Sequence, residues 1–172
     1  MKATARINLD SSTGRAAHKG RKSLVDICRT EIPNYDAWAT AGDCVFDEKA
    51  ARKAIAFFPE CLHHTKGSPT SKRGTPFKLD TWEQAVIGNT FGWKKPDGSR
   101  RYREVFIFVA RKNGKTTLAA GLDLYLLFCD GETGAEVYCI AADKDQAGIV
   151  FRTAKDMVNL EPELKSRCKV YK

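Results

Sequence analysis

The sequence has no apolar run near the roughly 20 residues that a membrane span needs, and no apolar core segment follows Met1-Lys2. Neither a transmembrane helix nor a signal peptide is therefore expected. There is no Cys-x-x-Cys pair. The six cysteines (Cys28, Cys44, Cys61, Cys129, Cys139 and Cys168) read as free thiols in a reducing compartment. The cluster Cys61, His63 and His64, with Cys44 upstream, lacks a second half and a standard zinc spacing, so no metal site is expected there. Zinc-finger, RNP-type aromatic and helix-turn-helix signatures are also missing, as is any internal repeat. Acid is short: 29 Lys+Arg against 21 Asp+Glu leave a net charge of +8.

What is present is a chain of 172 residues, 42% apolar, which is enough for one globular domain with a real core. The positive charge is clustered. Residues 1–23 carry six basic residues against one acid and read as a flexible basic arm. Further clusters are Lys94, Lys95, Arg100, Arg101 and Arg103; Arg111, Lys112 and Lys115; and Lys165, Arg167, Lys169 and Lys172. Clustered positive charge favours a polyanionic partner, nucleic acid or nucleotide phosphate.

Residues 24–79 read as a helical lead-in and loop. A short helix near Leu24–Cys28 is followed by a helix from Asp47 to about Leu62, which Pro59 should kink or divide. Residues 65–76 are a loop. From residue 80 the pattern sharpens. Asp80-Thr-Trp-Glu83 is a capping box opening a helix that should stop before Gly92. Val105–Val109 is a strand apolar on both faces, of the kind buried in a parallel sheet. An apolar helix spans Leu118–Phe128, Glu136–Ala142 forms a second strand, and Asp143 caps a further helix. Strand, helix, strand and helix in this order predict an α/β fold built on a right-handed βαβ unit.

The join between the first strand and its helix reads Val109-Ala-Arg-Lys-Asn-Gly-Lys-Thr116. It matches the phosphate-loop pattern G-x-x-x-x-G-K-[ST] at its last three fixed positions, with Val109 in place of the first glycine. Each residue type has a physical task. Backbone N–H groups at the helix start attract anionic oxygens, and Gly114 lets the backbone come close. Lys115 reaches phosphate, and the Thr116 hydroxyl can ligate Mg²⁺. Arg111 and Lys112 add two cations, and either could meet charge developing on a transferred phosphoryl group.

Residues 110–121 (Ala-Arg-Lys-Asn-Gly-Lys-Thr-Thr-Leu-Ala-Ala-Gly) resemble the modified phosphate loop of phage terminase large subunits of the HK97-like group. Leu79–Gln84, Phe91-Gly-Trp93, Gly98–Arg103, Asp130–Tyr138 and the stretch from Asp145 to Phe151 resemble the same family, as do Ala54–Phe58 and His64–Gly67. The likeness covers roughly residues 24–164. It implies the N-terminal part of a RecA-like (ASCE) P-loop NTPase, a partial parallel-sheet core with a helical lead-in, with residues 80–172 as its N-terminal half. It implies ATP and Mg²⁺ held by Gln84, Arg111, Lys112, Asn113, Gly114, Lys115, Thr116 and Thr117, with Thr116 on the metal and Lys115 and Arg111 in the chemistry. Glu83 separates Trp82 from Gln84 where the family has an adjacent Trp-Gln pair, so adenine recognition is expected of Gln84. The resemblance further implies an ATP-driven motor moving double-stranded viral DNA into procapsids in the host cytoplasm. The partners it implies are a portal protein, a small terminase subunit and further copies in a ring.

No Asp-Glu pair closes an apolar strand: Asp143 is followed by Lys144. The water-orienting glutamate and the nuclease carboxylates are expected beyond Lys172, and little ATP turnover is expected of these residues alone. The alternatives are a non-hydrolysing DNA-binding or assembly fragment and a truncated helicase-like P-loop ATPase.

Overall fold

A computed structural model describes residues 4–8, 22–67 and 71–171. The order of elements is β1 (Thr4–Asn8), α1 (Leu24–Thr30), β2 (Val45–Phe46), α2 (Glu48–Cys61), α3 (Thr81–Gly92), β3 (Trp93–Lys94), β4 (Glu104–Phe108), α4 (Lys115–Phe128), α5 (Lys144–Leu160) and α6 (Pro162–Arg167). The chain divides into two units, Met1–Ile55 with Leu79–Asn113 and Ala56–Lys78 with Gly114–Lys172. Most of the expected basic arm lies outside the described residues. Within it, Thr4–Asn8 pair in parallel with β4, Thr4 opposite Glu104 and Asn8 opposite Phe108.

In the first unit, local chemistry sets the helix starts. The Ser23 hydroxyl accepts from the Asp26 N–H at 3.1 Å, and the Asp26 carboxylate accepts from the Ser23 N–H at 3.2 Å. The capping box expected at Asp80 is formed, with Glu83 Oε2 accepting from the Asp80 N–H at 2.9 Å. α3 is buried along most of its length, and Gly88 allows this: a Cβ there would lie 2.6 Å from Cys28 Sγ. Asn89, also buried, donates to Cys28 O and accepts from Trp93 Nε1. Trp38, Phe46 and Trp93 stack with centroids 5.0–5.5 Å apart beside the antiparallel β2–β3 pair.

Arg101 departs from the sequence reading. Instead of joining an exposed basic cluster it is buried against this aromatic group. Its guanidinium donates to Ala37 O at 2.7 Å, to Thr40 O and to Thr40 Oγ1 at 2.9 Å, and it lies over the Trp93 and Tyr102 rings. One of the expected polyanion-facing charges is thus used internally.

Glu83 is only 5% exposed, and burial pushes its carboxyl up to about 7, against the opposing pull of the Asp80 N–H. A folded value above the ordinary 4.5 means the folded chain binds more protons between the two values. This group's contribution is therefore most favourable below about pH 4.5 and is lost as pH rises through about 7. Glu83→Gln keeps an acceptor for Asp80 and removes the charge. It should melt higher than wild type at pH 8, with the gap closing towards pH 5. An equal gap at both pH values in thermal melts would contradict this.

In the second unit, the C-terminal part of α2 runs through Pro59 without a break, so the expected division does not occur. Proline here has no N–H to give to Ile55 O, and the helix ends two residues later at Cys61. Phe58 is fully buried, with its ring centroid 5.5 Å from that of Phe77. Gly121 of α4 makes room for it, since a Cβ at Gly121 would lie 2.5 Å from Phe58 Cε1. α5 starts as expected, with Asp143 Oδ1 accepting from the Gln146 N–H at 2.8 Å. It buries Ala154, Met157 and Val158, while Phe151 is exposed.

The expected second strand is a correction. Residues 136–142 form no strand, although exposed Glu136, Tyr138 and Ile140 alternate with half-buried Val137 and Cys139. Strand assignment requires a hydrogen-bonded neighbour, and none is present among the described residues. β4 differs too: only Val105 and Ile107 are partly covered, whereas Phe106 and Phe108 are exposed. The fold is α/β with one parallel strand pair, and the strand–helix–strand unit is not formed among the described residues.

Candidate functional site

The segment after β4 has an unusual backbone. Lys112 takes a left-handed conformation at φ 69°, a strained choice for a residue with a Cβ. Gly114, also at φ 69°, is the N-cap of α4. Alternating left-handed residues of this kind turn successive N–H groups towards a common side. A glycine cap supplies no side-chain acceptor for them, and the first turn of α4 carries no acid. Asn113 Nδ2 donates to Ala110 O at 3.4 Å, closing the first half of the loop on itself. The Gly114 carbonyl accepts from the Leu118 N–H at 3.0 Å, which begins the helical ladder.

The side chains divide by exposure. Arg111, Lys112, Asn113 and Lys115 are exposed, while Thr116 and Thr117 are half-buried at the helix start. Residues up to Asn113 belong to the first unit and those from Gly114 to the second. Gln84, in the first unit, is half-buried, and its amide donates to Leu79 O at 3.0 Å. Trp82 packs beside the buried cluster of Ile32, Ala85 and Val86, a core-flanking position. In the second unit Thr116 and Thr117 border a cleft of about 180 Å³, which they share with the segment after α2 and with α5. Of the other side chains on that cleft, His64, Thr65 and Lys66 lie in the family-like stretch His64–Gly67, but the sequence reading assigned none of them, nor Thr153, to a nucleotide site. The available signal was a lone lysine in a Thr/Gly/Ser-rich loop.

Burial pushes Cys28 up to about 12. Cys139 donates to Asp123 at 3.0 Å and is pushed up to about 11, by burial first and that carboxylate second. All six cysteines are free. Among the described residues no group of three or more His, Cys, Asp or Glu side chains converges, and no helix is long and apolar enough to cross a membrane.

A strand leads through a glycine-capped turn into an apolar helix, within an α/β chain. Residues 81–172, just over half of the chain, match the family described as terminase large subunit, ATPase domain, and the chain belongs to that family. The terminase large subunit of Enterobacteria phage HK97 is similar, 35% identical over 92 residues. The alignment covers 53% of this chain and 17% of that protein, so the chain spans well under a third of the relative's length. No solved structure matches the chain.

Proposed function

We propose that the chain carries the nucleotide-binding half of a terminase motor domain, which binds ATP with Mg²⁺ and serves the packaging of double-stranded viral DNA into procapsids. The observation that carries this reading is the glycine-capped start of α4, followed directly by Lys115 and Thr116. Its first-turn N–H groups and the Lys115 ammonium offer donors to the phosphate oxygens. Arg111 and Lys112 add positive charge in the loop, with Arg111 assigned to charge that develops on the terminal phosphate. Asn113 holds the turn, and the Thr117 hydroxyl lies one residue beyond Thr116. Gln84 would meet adenine after exchanging its bond to Leu79 O.

The residues fit the magnesium nucleotide. Gly114 presents no Cβ towards an approaching phosphate, and Thr116 places a half-buried hydroxyl on a cleft. Thr116 would hold Mg²⁺, which when bound neutralises phosphate charge. On this reading the partners are a portal protein, a small terminase subunit and further copies of the large subunit in a ring, in the host cytoplasm. The finer fold on this reading is a parallel P-loop core of RecA type.

The domain reading behind this is a basic N-terminal segment over 1–23 that includes β1, a lead-in over 24–79 and the nucleotide-binding half over 80–172. The experiment is a calorimetric titration of Mg·ATP into the wild-type chain and into Lys115→Ala. Equal affinities would overturn the reading.

A further inference from the structure

The cleft beside Thr116 and Thr117 has a second wall, formed by the segment that follows α2. That segment is held firmly. The His64 N–H donates to Thr75 O at 2.9 Å, the Gly74 N–H donates to His64 O at 2.8 Å, and the Phe77 N–H donates to Leu62 O at 2.8 Å. The His64 ring lies 5.0 Å from that of Phe77, itself packed on Phe58. His64, Thr65 and Lys66 therefore face the cleft from an anchored stretch, and α5 closes it with Ile149 and Thr153.

The lining chemistry is selective. It contains a lysine, an imidazole and several hydroxyls, and no carboxylate. Burial holds His64 below its ordinary value, so at neutral pH it offers one N–H and no charge. The Thr153 hydroxyl already donates to Ile149 O at 2.9 Å, which makes it a wall and leaves Lys66 as the cation among the lining side chains. At about 180 Å³ the cleft is smaller than the roughly 300–1,000 Å³ of a pocket for a whole small molecule, so it suits phosphate groups.

We propose that Lys66 is a second phosphate-binding lysine of the nucleotide site, delivered from the segment after α2 to the phosphates held at Thr116 and Thr117. This rests on the nucleotide-binding reading above. Two lysines on separate elements would then grip one phosphate chain, so that bound nucleotide ties α4 to the 64–67 segment. The recognised chemistry is a polyphosphate, independent of the base.

The test uses the full chain and two probes, Mg·ATP and inorganic tripolyphosphate with Mg²⁺, titrated into wild type, Lys66→Ala, Lys66→Arg and Lys115→Ala. Lys66→Ala should lose about tenfold in affinity for both probes, with Lys66→Arg recovering most of it. Its melting temperature should stay at the wild-type value, since Lys66 is exposed. If Lys66→Ala binds both probes like wild type while Lys115→Ala does not, the proposal fails and the nucleotide reading stands. A loss for Mg·ATP with none for tripolyphosphate also overturns it, because Lys66 would then act on the nucleoside. Absence of binding by the wild type overturns both.

Discussion

Replacing Lys115 with alanine is expected to weaken Mg·ATP binding by about 10- to 100-fold. A hydrogen bond to a charged group contributes about 1.5–3 kcal/mol, and each 1.4 kcal/mol is about a factor of ten in affinity. The folded chain should be unharmed. Lys115 is exposed and begins α4, where a positive charge opposes the partial positive charge of the helix start. Its removal should leave the melting temperature unchanged or slightly raised. Lys115→Arg should not restore binding, because a planar guanidinium does not reproduce a compact ammonium at a close phosphate contact. Calorimetric titration and thermal melts on the same samples separate the two effects. A variant that binds and melts like wild type would overturn the nucleotide-binding reading.

Arg101→Ala should have the largest effect on stability, a loss of about 2–4 kcal/mol. Arg101 is 8% exposed, and its guanidinium satisfies the carbonyls of Ala37 and Thr40 and covers two aromatic rings. Its removal strands two acceptors and opens a gap beside Trp93. Arg101→Lys should recover only part, since one ammonium cannot reproduce the planar fork that spans both carbonyls. Arg100→Ala is the neighbouring comparison. Its guanidinium lies 5.5 Å from the Phe91 ring centroid, and it belongs to the same basic run. Urea unfolding of the three variants reads the difference. If Arg101→Ala costs under about 1 kcal/mol, the internal role assigned to this residue is wrong.

The helices were legible because their signals are local. Asp47, Asp80 and Asp143 mark starts that need only the next three residues. The turn before α4 was legible from Gly114 and the lysine and threonine after it. Pairing was not legible. Thr4–Asn8 look like part of a basic arm until β4 is placed beside them, and 136–142 look like a strand until a neighbour is required. Burial of charged residues was hidden for the same reason. Nothing near Glu83 or Arg101 in the sequence announces that residues up to 64 positions away enclose them. The cleft at Lys66 depends on three segments separated by dozens of residues, so no motif could reveal it.

The uncovered face of β4 bears on how the chain behaves in a tube. Phe106 and Phe108 are 55% and 52% exposed, and a net charge of +8 is what keeps such faces on different molecules apart. That repulsion reaches about 30 Å at 0.01 M salt and only about 8 Å at 0.15 M. Added sodium chloride should therefore lower the solubility of the chain, with light scattering rising over this range. A binding experiment on this protein belongs in low-salt buffer, where its colloidal stability is greatest.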